Sequence, residues 1–331
     1  MEEQKPLVSI ITPCLNGETY VHRFLESILY QTYKHIELIF VNDGSTDKTE
    51  EIVLSYKIKF EEKGIKLIYL YQDNKGLGGA INSGLLKVSG KYFCWPDSDD
   101  YLESESIAKR VSILEANPDY AVVSSDAYIR SIDSIESPIG LLSDNYKERF
   151  KPNQFKLLID EKSQFCPGTH MMRTDCFKET HKNMSIFPAK RGQNWQILLP
   201  VYYRYKRYYI DSPLYNYIIY KTSMSQGDIT KEKKLFRSKE HEEIIINTIQ
   251  SMEIPTLEKK NILSHVRKRY VRKNNRIAFE FNDRLLFYES YDYLKSIKSI
   301  TFKDLIIRIL FKNKVLYEHI LKSKLKSKLL N

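Results

Sequence analysis

Five apolar runs of strand length, most of them followed by a turn and then a helical pattern, constrain this chain more than anything else in it. "LVSIIT" (7–12) is rich in β-branched residues and leads into a loop with Pro13, Asn16 and Gly17; Tyr20, Val21, Phe24, Leu25, Ile28 and Leu29 then recur at helical spacing up to Gln31. "IELIFVN" (36–42) stops at Asp43-Gly44-Ser45, where Ser45 or Thr46 is placed to cap a helix running to about Tyr56. "IKLIYLY" (65–71) passes through "QDNKGLGGA" into a helix with a small face at Gly76, Ala80 and Gly84. "YFCW" (92–95) and "YAVVSSDAYI" (120–129) complete the series. Continuous apolar strands alternating with amphipathic helices predict an α/β fold, a mostly parallel sheet with helices on both faces whose ligands bind beyond the carboxyl ends of the strands. Thr12-Pro13, Asp43 to Ser45, Asp73 to Gly76 and Asp97 to Asp100 all fall at such ends, so the fold gathers them along one edge.

Beyond Pro138 the pattern is less regular. "FKLLI" (155–159), "FCPGTHMMRTD" (165–175), "RGQNWQILLPVYYRY" (191–205) and "YYIDSPLYNYIIY" (208–220) read as a substrate-shaping half, so the expected division is 1–110, 111–225 and a helical C-terminal region 226–331. The net charge of +10 is confined to that last region: Lys and Arg against Asp and Glu number 28 to 29 in 1–225 and 24 to 13 in 226–331. The start, MEEQKP, lacks the pattern of a leader, and no apolar run approaches the roughly 20 residues needed to cross a bilayer. Four cysteines lie far apart without a CxxC pair, which argues for reduced thiols and a cytoplasmic setting rather than zinc or disulfides.

The densest chemistry is "KYFCWPDSDD" (91–100), three carboxylates within four positions. Such charges repel unless a cation or a solvated loop shares them. The plain alternative is that they cap a helix beginning near Leu102, but capping needs one acceptor, which Asp100 supplies.

"VSIITPCLN", "QTYKHIELIFVNDGSTDKT", "NKGLGGAINSGL" and "GKYFCWPDSDDYL" resemble, in order and spacing, the successive blocks of a family-two glycosyltransferase of GT-A (Rossmann-like) fold. The resemblance covers about the first 110 residues and weakens toward Ser225. It implies a metal-dependent hexosyltransferase that moves a sugar from a nucleotide sugar, a UDP-sugar by preference, to a glycan or lipid-linked acceptor with inversion, as in bacterial cell-surface polysaccharide assembly. A departing diphosphate needs a divalent cation, and hard oxygen ligands suit Mn²⁺ or Mg²⁺. Asp99 is then the metal ligand and Asp97 its partner toward metal or ribose, with Ser98 between them; Asp43 accepts from the uracil imide, Thr12, Pro13 and Asn16 pack along the base, and Lys75 with Gly76 approaches ribose or diphosphate.

The family's usual Ala-Arg-Asn reads Ala80-Ile81-Asn82 here, and its late Glu-Asp pair reads Gln193-Asn194, followed by Trp195. An amide accepts no proton near neutral pH. These three residues are therefore expected to bind acceptor, Asn194 by positioning it. The base is sought in Asp126 or His170, unless the motif is misaligned or the chain transfers poorly. Lys221, Ser223 and Ser225 stand where a family histidine usually helps hold diphosphate. Two rivals follow: a nucleotide-sugar-binding protein without transfer, motivated by the amides, and an NAD-dependent oxidoreductase, motivated by Gly76, Gly78 and Gly79.

In the tail, Leu305, Ile306, Ile309, Leu310, Leu316, Tyr317, Ile320 and Leu321 share one helical face, with Lys312, Lys314, Lys322, Lys324, Lys326 and Lys328 around the rest. A basic amphipathic segment over 303–330 suits an anionic membrane surface, which would place the protein peripherally on the inner face of the cell membrane. The plain alternative packs that apolar face on the domain. No nucleic-acid-binding fold is legible.

Overall fold

The computed structural model describes residues 5–189, 191–220 and 229–313. The chain forms two compact units, Met1–Tyr220 and Lys221–Asn331. Among the described residues of the first unit, nine strands make one sheet: β1 (Val8–Cys14), β2 (Ile36–Asn42), β3 (Lys66–Tyr71), β4 (Tyr92–Cys94), β5 (Tyr101–Leu102), β6 (Tyr120–Ser131), β7 (Ser134–Leu141), β8 (His170–Arg173) and β9 (Lys206–Ile219). Their order is β3-β2-β1-β4-β8-β6-β9-β5, with β7 paired to β6. β3, β2, β1 and β4 are parallel, as the apolar runs predict. The second half is mixed: β8 is antiparallel to β4 and β6, β9 runs parallel to β6, and the short β5 is antiparallel to β9.

Period-two alternation sends Val8, Ile10, Leu38, Phe40, Tyr92, Cys94, Val123 and Met171 into one core with α1 (Val21–Leu29) and α5 (Ser106–Ala116), where Phe24, Leu25, Ile28, Ile107, Val111 and Leu114 are buried. Ile11 points the other way, onto α4 (Gly76–Leu85), and a Cβ on Gly84 would lie 2.3 Å from its Cγ2. The small face of α4 is what lets that helix close on the sheet. Glu37, 1% exposed in the middle of β2, is tolerated because Ser9 Oγ, Ser89 N–H and Ser89 Oγ all donate to it. α2 (Thr49–Ser55) is not capped by Ser45 or Thr46 as the sequence suggested; Asp47 Oδ1 accepts from Thr49 N–H at 3.0 Å, while Ser45 Oγ accepts from Asn16 N–H. The helix expected near Leu102 begins at Ser106, because Tyr101 and Leu102 are drawn into β5 against β9.

α3 (Lys57–Glu62), α6 (Phe155–Ile159), α7 (Thr174–Thr180) and α8 (Gln193–Arg204) complete the first unit's α-helices. The second unit contains α9 (Lys231–Ser251), α10 (Thr256–Glu280), α11 (Arg284–Ser296) and α12 (Phe302–Lys312). Ala278, Phe279, Phe287, Ile307 and Phe311 form one buried cluster in it, and Arg272 donates to buried Asp304 at 3.1 Å. The inward face of α12 is therefore Asp304, Ile307 and Phe311, whereas Leu305 and Ile309 of the expected apolar face, together with Phe302, are exposed. The rest of that face, from Leu316 on, and Lys221, Ser223 and Ser225 lie outside the described residues. No described helix is long and apolar enough to cross a membrane.

Candidate active site

Asp43 follows β2, and Asp97, Asp99 and Asp100 follow β4, all beyond the carboxyl ends of parallel strands. Asp43 is buried, and its Oδ1 accepts from Gln72 Nε2 at 2.6 Å and from Lys75 N–H at 2.9 Å. Gln72 is itself fixed by the Ser83 hydroxyl. The Lys75 contact is through the backbone, and its side chain is exposed. Thr12 and Pro13 belong to β1 and are buried rather than laid open along a base, and Thr12 Oγ1 has no hydrogen-bond partner among the described residues. Asn16 is exposed, but it latches two loops, its Oδ1 accepting from Thr46 N–H at 2.9 Å.

Carboxylate oxygens of Asp97, Asp99 and Asp100 lie within 4.8 Å of one another. The three are not equivalent. Asp100 is 1% exposed and serves as a strut: Oδ1 accepts from Ile218 N–H at 2.8 Å and Oδ2 from Tyr215 Oη at 2.9 Å, both on β9. That occupation corrects its expected role as a helix cap. Asp97 and Asp99 are half-buried and carry the site. Desolvation, then the Asp99 charge, raises the Asp97 carboxyl to about 8; desolvation also raises Asp99, against the pull of Arg23. Carboxylates that repel their own second charge, supplied as hard oxygens in one small volume, fit a divalent cation. Ser98 is buried against Cys14 and Tyr20.

The sequence did not reveal Arg23. Its Nη2 donates to the Asp99 carbonyl at 3.0 Å and to Tyr220 Oη at 2.6 Å, and Tyr220 Oη donates to the same carbonyl at 3.0 Å. Tyr215, Tyr220 and Gln72 were equally invisible, since no local motif surrounds them.

The acceptor side differs most from expectation. Asn194, 3% exposed, accepts from Trp95 Nε1–H at 2.8 Å and donates Nδ2–H to the Phe165 carbonyl at 2.7 Å, so both ends of its amide are used inside the protein. Trp195 is 3% exposed with its ring centroid 4.4 Å from that of Phe165, and Gln193 is buried beside them. All three are buried, against the expectation of an open acceptor surface. His170 is removed as a base: it is fully buried in β8, stacks on Trp95 at 5.9 Å, bonds through Nδ1 to the Cys166 carbonyl, and is pushed down to about 3 by burial and the Arg207 charge. Asp126 lies within β6 and is 3% exposed, its Oδ1 accepting from Ala127 N–H and Ser143 N–H. The dinucleotide reading of the glycines fails because α4's first turn is covered: Gly78 N–H donates to the Ala189 carbonyl, and a Cβ there would meet Ala189 N at 2.7 Å.

A twisted sheet with carboxylates spaced along its carboxyl edge, at the ends of its second and fourth strands, is the architecture of GT-A glycosyltransferases. Residues 9–180 match the model of Glycosyl transferase family 2, and the chain belongs to that family. It is similar to an uncharacterized glycosyltransferase of Rickettsia prowazekii, 48% identical over 109 residues, or 33% of this chain and 32% of that one. It is also similar to glycosyltransferase GlyA of Streptococcus pneumoniae, 38% identical over 149 residues, 44% of this chain and 20% of the relative. These matches thus span a third or less of those curated relatives' lengths. Residues 1–349 of S. aureus TarS in complex with UDP-GlcNAc superpose with a TM-score of 0.63 at 19% identity, covering 98% of this chain and 86% of that one. A mannosyltransferase of Pyrobaculum calidifontis in complex with GDP-Man and Mn²⁺ gives 0.56 at 14%, covering 98% and 85%. At these identities the likeness establishes the fold.

Proposed function

We propose that this chain transfers a hexose from a UDP-sugar to a glycan or lipid-linked acceptor, with inversion, using Mn²⁺ or Mg²⁺. The observation that carries the reading is the shared edge on which Asp43, with one oxygen held by Gln72 and the Lys75 N–H, and the Asp97–Asp99 pair are set. Asp43 then accepts from the uracil imide, and Asp97 and Asp99 hold the metal. A divalent cation there neutralises the charge that develops on a departing diphosphate. Residues 111–225 shape the acceptor side, and Asp126, itself 3% exposed, takes the acceptor's proton, because it is the one proposed base that is a carboxyl group rather than an amide or an imidazole. Phe302, Leu305 and Ile309, exposed on α12 among Lys303, Arg308 and Lys312, support peripheral attachment to the inner membrane face.

The buried Asn194 favours a second reading, a donor-binding protein without transfer. Released UDP from a panel of UDP-sugars with Mn²⁺, compared for the native chain, Asp99→Ala and Asp126→Asn, separates the two. Turnover with one sugar, lost in both variants, is the expected result. Donor binding by calorimetry without turnover under any acceptor supports the second reading. Neither binding nor turnover refutes both.

A further inference from the structure

The peptide between Asp99 and Asp100 is gripped from both sides. Asp100's carboxylate is held by Tyr215 and Ile218 of β9, and the Asp99 carbonyl receives Arg23 Nη2 from α1 and Tyr220 Oη from the residue just past β9. Arg23 forms no ion pair among the described residues, and its Nε is buried without a hydrogen-bond partner there. A half-buried guanidinium spent on a carbonyl and a tyrosine hydroxyl is costly for stability alone. Its placement is informative because it meets the main chain at the residue whose side chain carries the metal oxygens. The centroid of the Tyr101 ring lies 5.8 Å from the guanidinium.

We propose that Arg23 and Tyr220 are positioning residues that fix the Asp99 backbone, and so set the affinity of the Asp97–Asp99 pair for a divalent cation. The proposal rests on the metal reading above. Neither residue touches the ion. Their three hydrogen bonds hold the Asp99 peptide against rotation, so the carboxylate is presented toward Asp97 before the cation arrives, and binding does not have to order the loop. Outer partners of metal ligands commonly contribute 10–100-fold in affinity.

The test is Mn²⁺ titration of the full chain, followed by electron paramagnetic resonance of the free ion, with UDP binding measured by calorimetry without metal and the melting temperature recorded beside it. Arg23→Ala is expected to raise the Mn²⁺ Kd about 10-fold or more and Tyr220→Phe by a smaller factor, with Arg23→Lys recovering most of the loss because an ammonium can still reach the carbonyl. Metal-free UDP binding, which depends on Asp43, is expected to be unchanged. Tyr220→Phe deletes one hydroxyl and guards against the case where Arg23→Ala does not fold. If Asp99→Ala abolishes Mn²⁺ binding while Arg23→Ala and Tyr220→Phe bind as the native chain does, the clamp is overturned and the metal site stands. A loss of UDP and Mn²⁺ affinity together, unrescued by lysine, also overturns it in favour of a general structural role. If the native chain binds no Mn²⁺, the metal reading falls and the clamp with it.

Discussion

Restoring the family's carboxylate by Asn194→Asp is expected to damage this protein rather than awaken it. The native amide matches two opposite partners, the Trp95 indole N–H and the Phe165 carbonyl, at 2.8 and 2.7 Å in a buried setting. An ionised aspartate keeps the first bond but faces the Phe165 oxygen with no proton to give. Leaving a buried group unsatisfied costs about 1–3 kcal/mol, and a desolvated charge adds to that unless the carboxyl takes up a proton. Asn194→Ala orphans both partners, for a loss of about 2–6 kcal/mol. In a unit of this size each kcal/mol shifts Tm by about 2–4 °C, so a mid-range loss of ~3 kcal/mol lowers it by about 6–12 °C. Calorimetric melting of both variants beside the native chain, with UDP release measured on the same samples, reads the outcome. An Asn194→Asp protein that melts with the native one and gains turnover would show that the amide is a vacated catalytic position and that the bridge to Trp95 and Phe165 is incidental.

Gln72→Leu removes the 2.6 Å donor to Asp43 and leaves the Ser83 hydroxyl only the Gly79 carbonyl, so UDP is expected to bind about 5–30-fold more weakly, from the 1–2 kcal/mol typical of such a bond; unchanged affinity in calorimetry would separate Asp43 from the base. His181 donates Nε2–H to the Gln196 carbonyl, and burial lowers it from 6.5 to about 4, as burial and Arg207 lower His170 to about 3. The unfolded chain thus binds more protons than the folded one below pH 6.5, so each histidine removes about 1.4 kcal/mol of stability per pH unit as pH falls toward 4, and neither adds a slope above 6.5. His181→Gln, which can still donate to Gln196, is expected to make the acid limb of urea-derived stability shallower by about that amount; an unaltered limb would mean the ring is already accessible to protons.

What the sequence disclosed follows from range. The parallel strands and Asp43, Asp97 and Asp99 are legible because apolar runs and clustered carboxylates are local signals. β7 and β8 were missed: Pro138 and Gly140 make one look like a turn, and the other, which carries His170, is only four residues long. Asn194 misled because a motif position was taken for a motif function, when its partners Trp95 and Phe165 lie 99 and 29 residues away. Arg23 reaches Asp99 across 76 residues, a separation at which no spacing rule operates.

That range has a bearing on synthesis. The strut on Asp100 joins it to partners 115 and 118 residues later in the chain. While the ribosome is still making β6, strands β1, β2, β3 and β4 are already out to pair and α1 can hold the aspartate loop through Arg23 and Ser27, yet the Asp100 carboxylate has neither of its partners. Only when β9 emerges and docks does the Asp100 strut form. The nascent protein therefore passes through its most exposed stage with this loop braced from α1 alone, and the second brace arrives last, with β9.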